Sequence, residues 1–279
     1  MERVVAVLGQ GLVPADAPIL RADDLGAVRG DGVFETMHVR GGSPWLFEAH
    51  MARMARSAQR LELQLPDVGA RRELARLACG AWPAEREGAL RLVCTRGPED
   101  GGPVTCYATI ARIGPQVRQA RRLGVRVATA SLGYTADARG PAPWLLGGVK
   151  SLSYAVNMAS QRWAQSRGFD DVLWLSSDGH ALEGPTSTLV WLSGSRLCTV
   201  PTTTGILPGT TGRHLLDHAG DLGWRAAEEM AGAADLEAAD GVWFTSSVRG
   251  IVPITQLDDV KLTVSPHTER IRELLGYPI

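Results

Sequence analysis

The chain has 279 residues, of which 44% are hydrophobic and 21% are charged, and its formal net charge is −1. This balance is typical of a folded globular protein and excludes an intrinsically disordered one. A nearly neutral chain has no bulk attraction for nucleic acid, and no apolar run reaches the about 18 residues of a membrane span. The N-terminal residues also lack the apolar stretch of a signal peptide. We therefore expect a cytoplasmic protein that binds neither nucleic acid nor a membrane.

The first half of the chain predicts a mixture of strands and helices. Alternating apolar and polar residues predict strands, whereas apolar residues three and four positions apart predict helices. Met51, Met54 and Ala58 follow the helical spacing clearly. The predicted elements are strands at 4–8, 33–39 and 45–47, helices at 48–63 and 68–82, and strands at 91–95, 105–110 and 125–130.

The second half opens with a turn-rich stretch of Gly, Pro, Thr, Ala and Asp at 133–143, which we expect to be an interdomain linker. Helices and strands interleave on both sides of it, which is typical of an α+β or α/β protein with two subdomains split near residue 135. The elements predicted after this stretch are a helix at 149–165, strands at 172–175, 188–192 and 197–201, a helix at 209–222, strands at 242–245 and 251–254, and a helix at 267–275.

Chemistry that needs a primary amine has two candidates, because Lys150 and Lys261 are the only lysines. Lys150 lies among apolar and small residues, so desolvation should lower its pKa. A neutral amine can form a Schiff base and later act as a general base. The alternative is a lysine at a helix start whose amine reaches water. Lys261 follows two aspartates and a valine, and we expect it on the surface.

Pyridoxal 5′-phosphate (PLP) is a cofactor that binds a lysine amine, and it also needs a carboxylate at its ring nitrogen and an anion site. Glu183 is a candidate carboxylate, although an acid before Gly-Pro is also a common turn residue. Thr210 and Thr211 open a predicted helix, where they either present amides to an anion or simply cap the helix. Ser247 ends a hydroxyl-rich strand, and Arg53 is either an anion ligand or a surface arginine.

Six segments in this order resemble the fold-type IV PLP enzymes, the class IV aminotransferase family. The segments are Gly30–Thr36, His50–Arg53, Lys150–Ser153, Leu182–Gly184, Ile206–Gly209 and Thr245–Ser247. The resemblance implies a small N-terminal α/β domain at 1–132, a linker at 133–143 and a larger β-rich PLP-binding domain at 144–279. It also implies a homodimer with its active site between the two domains. The spacing of the four cysteines matches no zinc or redox motif, so we expect no metal.

The same resemblance implies a role for each matching residue. Lys150 would be the Schiff-base lysine, and Glu183 would be the partner of the pyridine nitrogen. The phosphate ligands would be Arg53, the amides of Thr210 and Thr211, and Ser247.

Three reactions occur in this family: branched-chain aminotransfer, D-amino-acid aminotransfer and 4-amino-4-deoxychorismate lysis. D-amino-acid enzymes resemble one another in an Arg-x-His pair after a Thr-Arg-Gly turn, but acids and glycines follow Arg96 here, and Phe34 replaces a tyrosine. Branched-chain enzymes carry a tyrosine where this chain has Ala155. Thr36 matches the threonine of the lyases.

We therefore expect a lyase that converts 4-amino-4-deoxychorismate to p-aminobenzoate and pyruvate, a step of folate biosynthesis. Lys150 would take the proton, and Thr36 would guide a proton or position the substrate. Phe34 would lie beside the substrate, and Arg96 is a candidate anchor for a substrate carboxylate. Two alternatives stay open. One is a PLP transaminase for D-amino or branched-chain amino acids, and the other is a non-catalytic phosphate-binding module in which Lys150, Glu183 and Arg53 lie far apart.

Overall fold

The computed structural model describes residues 2–278, whose contacts divide them into two units. The first unit holds the described residues up to Gly114 together with Val149–Tyr154, and the second holds Pro115–Gly148 and the described residues from Ala155 onward. This division differs from the boundaries expected at 132 and 144. Residues 133–143 belong to the second unit, in which the Ser177 amide donates to the Tyr134 carbonyl at 2.8 Å.

The first unit pairs an antiparallel sheet with helices. Its elements are β1 (Arg3–Val7), β2 (Gly11–Val13), α1 (Leu25–Val28), β3 (Gly32–Arg40), β4 (Ser43–Pro44), α2 (Phe47–Arg60), α3 (Val68–Gly80), β5 (Gly88–Thr95) and β6 (Cys106–Arg112). Within the described residues, the six strands are ordered β2-β1-β6-β5-β3-β4. Strand β5 therefore lies in the interior of the sheet, between β6 and β3.

The sheet of the first unit has one face against the helices. Alternate residues of β3 share a buried core with α2, as Met37 and Met54 show with no exposed side-chain surface. Burying a side chain of this size contributes about 1.5–3 kcal/mol. Phe34 and Thr36 occupy the intervening positions of β3 and are half-buried. Because successive side chains of a strand point to opposite faces, these two residues lie on the face away from α2.

The second unit is built on a larger mixed sheet. Its elements are α4 (Pro115–Leu123), β7 (Val125–Ser131), α5 (Ala155–Gln165), β8 (Asp171–Leu175), β9 (Glu183–Gly184), β10 (Ser187–Ser193), β11 (Arg196–Thr199), α6 (Thr210–Asp217), β12 (Arg225–Glu228), α7 (Ala233–Glu237), β13 (Gly241–Ser246), β14 (Gly250–Leu257), β15 (Val260–Lys261) and α8 (Thr268–Leu275). The path through the sheet is β12-β11-β10-β13-β14-β7-β8, with β9 on β10 and β15 on β14. In the part of the chain that the structure describes, no helix has the length and apolar character to cross a membrane.

Strand β10 forms the buried centre of this sheet. Its apolar residues are all buried, and Leu189 and Val190 have no exposed surface, as is typical of a strand covered on both sides. In register, Thr188 of β10 is the partner of both Glu183 on β9 and Thr245 on β13. This pairing brings one acid and two threonines of distant sequence into one row.

The segment Val149–Tyr154 contacts β3 through an antiparallel bridge between Ser151 and Val33. The Phe34 amide donates to the Lys150 carbonyl at 3.2 Å, and the Leu152 amide donates to the Gly32 carbonyl at 2.9 Å. The helix predicted over 149–165 was therefore wrong in its first turns, because these backbone groups bond to β3 and α5 begins only at Ala155.

Close packing of this segment requires glycine at position 30. Gly30 has φ +68°, and a Cβ there would lie 2.6 Å from Ser153 Oγ and 3.1 Å from Ser153 Cα. Gly41 has a similar φ of +56°, but among the described residues no atom lies within 4 Å of the position that a Cβ would take there. The two glycines share the left-handed backbone and differ in contact with the lysine segment.

We expect Gly30→Ala to lower the free energy of unfolding by about 1 kcal/mol or more beyond the effect of Gly41→Ala. Both variants bear the left-handed strain of about 1–2 kcal/mol, and only Gly30→Ala also displaces Ser153. Urea unfolding of the two variants beside the wild type measures the difference. Equal losses would contradict the close approach of Ser153 to Gly30.

Candidate active site

The Lys150 amine has a defined position in the first unit. Its Nζ donates to the Tyr154 hydroxyl at 3.1 Å and lies 4.5 Å from the centre of the Phe34 ring. The Phe34 and Tyr154 rings meet edge-on, with centroids 5.1 Å apart. The Lys150 amide donates to Ser57 Oγ at 3.1 Å, which ties the residue to α2. Ser57 thus holds the backbone of Lys150, and Tyr154 holds its amine next to two aromatic rings.

A buried carboxylate connects β3 to α2 close to this lysine. Glu35 has no exposed surface, and its two oxygens accept from Arg53 Nε at 2.8 Å and Arg53 Nη2 at 2.6 Å. The same carboxylate lies 2.7 Å from His50 Nδ1. Burial alone would raise the pKa of the Glu35 carboxyl, but the Arg53 guanidinium and the His50 ring lower it to about 2.

The state of His50 follows from the same cluster. Burial lowers the pKa of His50 despite the opposing effect of Glu35. The lowered pKa favours the neutral ring. A neutral ring facing a carboxylate donates its proton from Nδ1, so His50 acts as a hydrogen-bond donor rather than as a second cation. The cluster therefore holds one carboxylate and one guanidinium, with a neutral ring beside them.

Arg53 and Ser57 stand one helical turn apart on α2, on its buried face. Glu35 fixes the orientation of the Arg53 guanidinium, and Ser57 fixes the backbone of Lys150. One helix face therefore positions two of the expected cofactor residues, Arg53 and Lys150. The phosphate role of Arg53 stays a prediction.

The second unit brings together its own expected residues. Both oxygens of the buried Glu183 carboxylate accept from the Leu207 amide, at 3.2 and 3.1 Å. Leu207 comes three residues before Thr210, the first residue of α6, and Thr210 Oγ1 lies 3.5 Å from Ser247 Oγ. The acid and the hydroxyls thus meet at one loop, although Glu183 and Ser247 are distant in sequence.

The start of α6 has the features of an anion site. The amides of Thr210 and Thr211 are in the first turn, where backbone N–H groups carry partial positive charge. The Thr211 hydroxyl is buried, and among the described residues it has no hydrogen-bond partner. A Cβ at Gly209 would lie 2.1 Å from Thr188 Oγ1, so only glycine lets this turn lie against β10. The buried Thr211 hydroxyl, next to the first-turn amides of a helix, fits a phosphate group.

The remaining expected residues lie in the first unit. Thr36 shares a face of β3 with Phe34, whose ring contacts the Lys150 amine. Arg96 instead binds Asp31 through Nε at 2.6 Å and Nη2 at 3.1 Å, and it donates to the Leu61 carbonyl at 2.7 Å. These bonds favour a structural role for Arg96 over the substrate contact expected from the sequence.

Four residues of this site received no role from the sequence: Glu35, His50, Ser57 and Tyr154. Three of them are polar residues at positions where the local pattern calls for apolar ones. Glu35 lies on the same face of β3 as the core residues that flank it two positions away. His50 and Ser57 lie on the buried face of α2. Buried polar groups are rare unless they are bonded, so this pattern was an available signal.

Comparison with known proteins identifies the family of this chain. Residues 32–257 match the family described as Amino-transferase class IV. The chain belongs to this family. A bifunctional aminodeoxychorismate lyase / D-amino acid transaminase of Mycobacterium tuberculosis is 40% identical to it over 285 residues, which cover 99% of this chain and 98% of that relative.

Two solved structures share the fold of this class IV chain over nearly its whole length. A hypothetical aminotransferase from Mycobacterium tuberculosis in its PLP-bound form has a TM-score of 0.95 and 39% identity, covering 98% of this chain and 97% of that one. The fold IV-transaminase CpuTA1 from Curtobacterium pusillum has a TM-score of 0.91 and 37% identity, covering 99% and 98%. The predicted fold-type IV architecture and the PLP cofactor are thereby confirmed.

The buried cluster around Glu35 makes stability depend on pH. The pKa of Glu35 lies at about 2 in the folded chain, below its ordinary value of 4.5. A lowered pKa stabilises the fold fully above the ordinary value, and this stabilisation is lost as the pH falls from 4.5 towards 2. The loss is on the order of 3 kcal/mol. The pKa of His50 is also lowered, so it too makes the fold less stable as the pH falls below 6.5, the ordinary pKa of histidine.

We expect the thermal midpoint of the wild type to fall steeply below the ordinary pKa of glutamate, and that of Glu35→Gln to fall less. Glu73→Gln is the matched control, because Glu73 pairs with Arg76 at 2.6 Å on the exposed surface. Exposed pairs contribute little, so this variant should keep the wild-type slope. Identical slopes for the wild type and Glu35→Gln would show that the cluster is not the source of the acid sensitivity.

Proposed function

We propose that this class IV enzyme is an aminodeoxychorismate lyase, which splits 4-amino-4-deoxychorismate into p-aminobenzoate and pyruvate. The proposal rests on the position of the Lys150 amine, 4.5 Å from the Phe34 ring on the face that also carries Thr36. A base so placed can serve a planar, ring-shaped substrate. The name of the relative that is 40% identical includes this activity.

Bound PLP supplies a protonated pyridine ring that withdraws electrons from the carbon bearing the substrate amine. Lys150 would hold the cofactor, and its amine would take the proton from that carbon. The neighbouring carbon–oxygen bond then breaks, the enolpyruvyl group leaves and gains a proton as pyruvate, and the ring becomes aromatic. The Tyr154 hydroxyl orients Nζ, and Thr36 guides the proton or positions the substrate. No second substrate is needed for this balance.

The proposal gives each expected cofactor residue one role. In the proposal, the Glu183 carboxylate keeps the pyridine nitrogen protonated, with its orientation set by the Leu207 amide. The Arg53 guanidinium, the amides of Thr210 and Thr211, and the Ser247 hydroxyl would bind the phosphate. Charged and helix-terminal donors of this kind are the usual phosphate ligands.

A second candidate is transamination of D-amino acids. It is favoured by the same relative, whose name combines lyase and D-amino acid transaminase. The residues around Lys150 suit both reactions, because both begin with proton removal by the lysine. The segment after Arg96 does not favour binding of a substrate carboxylate, because it carries the acids Glu99 and Asp100. These acids form surface ion pairs with Arg29 and Arg21. The transaminase differs from the lyase in needing a keto acid.

The decisive assay supplies aminodeoxychorismate to the holoenzyme without any keto acid. We expect pyruvate release by the wild type and a loss of at least about a hundredfold in Lys150→Ala, because the general base is removed. Lys261→Ala is the matched control, since it removes the other lysine from the exposed strand β15 and should leave the rate unchanged. No pyruvate, together with turnover of D-alanine and 2-oxoglutarate, would replace the lyase by the transaminase.

The role of Glu183 has a separate test. We expect Glu183→Gln to keep bound PLP, because an amide oxygen still accepts from the Leu207 amide, while kcat falls by at least about tenfold. The lost negative charge would no longer hold the proton on the pyridine nitrogen. Visible absorbance measures cofactor content, and pyruvate release measures kcat. Unchanged kcat with full cofactor content would remove Glu183 from this role.

A further inference from the structure

A short turn of the second unit carries Ser247, one of the expected phosphate ligands. Ser246 of β13 is the register partner of Gly250 of β14, so the β13–β14 turn consists of the three residues Ser247–Arg249. Ser247 Oγ lies 3.5 Å from Thr210 Oγ1 at the start of α6. A displacement of the turn would therefore move the Ser247 hydroxyl away from the first-turn amides of α6.

The segment after α8 contacts both ends of this turn. The Tyr277 hydroxyl donates to the Ser247 carbonyl at 2.5 Å. The Tyr277 ring lies against Gly250, where a Cβ would be 2.6 Å from the ring Cγ. Tyr277 is buried, so its hydroxyl needs a partner inside the protein. The turn supplies that partner.

Arg121 of α4 bonds to the middle of the turn and to the same C-terminal segment. Its Nη2 donates to the Val248 carbonyl at 2.6 Å, and its Nη1 donates to the Pro278 carbonyl at 2.9 Å. The Arg121 side chain has no exposed surface, and its Cζ lies 5.1 Å from the centre of the Tyr277 ring. A guanidinium can serve several acceptors at once, because its five N–H groups have fixed directions. Arg121 therefore ties Tyr277 and the turn together.

The last residue of the turn is fixed from a third direction. Arg249 Nη1 donates to the fully buried Asp171 at 2.7 Å, and Arg249 Nη2 donates to the Ser187 hydroxyl. Each residue of the β13–β14 turn thus has a bond to a residue distant in sequence. A loop that is already fixed in its binding conformation loses less conformational entropy when a ligand binds.

We propose that Tyr277 is a positioning residue for the cofactor phosphate. Its bond to the Ser247 carbonyl, with that of Arg121 to Val248, keeps the β13–β14 turn where the Ser247 hydroxyl reaches the phosphate. This inference rests on the proposed function, which gives Ser247 its phosphate role. The bond from Tyr277 uses the carbonyl of Ser247 and not the hydroxyl that the phosphate would need.

The test compares two cofactors that differ only in the phosphate. The full chain, freed of cofactor, is titrated with PLP and with pyridoxal, and the visible absorbance of the bound cofactor gives both affinities. We expect Tyr277→Phe to weaken PLP binding by about threefold to tenfold and to leave pyridoxal binding unchanged, because one hydrogen bond to the turn is lost. An unchanged PLP affinity would overturn the proposal, as would equal weakening of both cofactors.

Thr268→Val is the matched control. Thr268 is the first residue of α8, and its buried Oγ1 accepts from Trp243 Nε1 of β13 at 3.0 Å. This variant also removes a buried hydroxyl between the C-terminal part of the chain and β13, but it leaves the bonds of the turn in place. It should lower the thermal midpoint and keep both wild-type affinities. A selective loss of PLP affinity in Thr268→Val would overturn the assignment to Tyr277.

The double variant Ser247→Ala/Tyr277→Phe tests whether Tyr277 acts through Ser247. Residues that act through one contact have non-additive effects. We therefore expect the double variant to bind PLP no more weakly than Ser247→Ala does. Losses that add in full would overturn the positioning role, because Tyr277 would then act independently of Ser247.

Ser247→Ala alone separates this inference from the proposed function. If Ser247→Ala selectively loses PLP affinity and Tyr277→Phe does not, only the role of Tyr277 fails. If Ser247→Ala binds PLP as the wild type does, the phosphate role of Ser247 fails, and this inference fails with it. The pyruvate assay stays independent of these titrations, because a class IV transaminase would bind the same cofactor.

Discussion

The buried contact of Glu35 with Arg53 is the interaction on which the first unit depends. Removing two charges from water costs several kcal/mol per ion, and only good geometry with further hydrogen bonds offsets that cost. Here Arg53 contributes two nitrogens and His50 a third donor, all within 2.8 Å of the Glu35 oxygens. Loss of one partner would leave a buried charge without compensation, at a cost of about 3–5 kcal/mol. β3 and α2 are therefore held in one arrangement.

That arrangement determines where the lysine amine lies. α2 bonds the Lys150 amide through Ser57, and β3 bonds the Lys150 carbonyl through the Phe34 amide. Both supports are parts of the two elements that Glu35 connects. In the second unit an amide orients the acid instead of a charged partner. The Leu207 amide donates to Glu183, and the same loop leads into the first turn of α6. In the first unit, the bonds of Glu35 also orient the Arg53 guanidinium. In the second unit, the loop that orients Glu183 also leads to the first-turn amides of α6.

Much of the fold could be predicted from the sequence, because long elements repeat their apolar spacing. α2, α3 and the interior strands were found within a few residues. Short elements were missed, including α1, β12 and α7, which have too few residues to show a period. α4 is mostly polar and buries Arg121, so its pattern carried no apolar face. The start of α5 was placed six residues too early, since the bonds from Val149–Tyr154 to β3 come from distant sequence.

The candidate site was predictable where a residue belongs to a motif and unpredictable where its role depends on its neighbours. Arg91 and Arg96 show the difference, because they have the same chemistry and lie close together in sequence. Arg96 follows the end of β5, where Asp31 and two carbonyls of the turn after α2 reach its guanidinium. Arg91 lies within the strand, and its cross-strand neighbours are threonines rather than acids. Strand register, which no local pattern specifies, therefore decides why Arg96 meets an acid and two carbonyls while Arg91 lies between threonines.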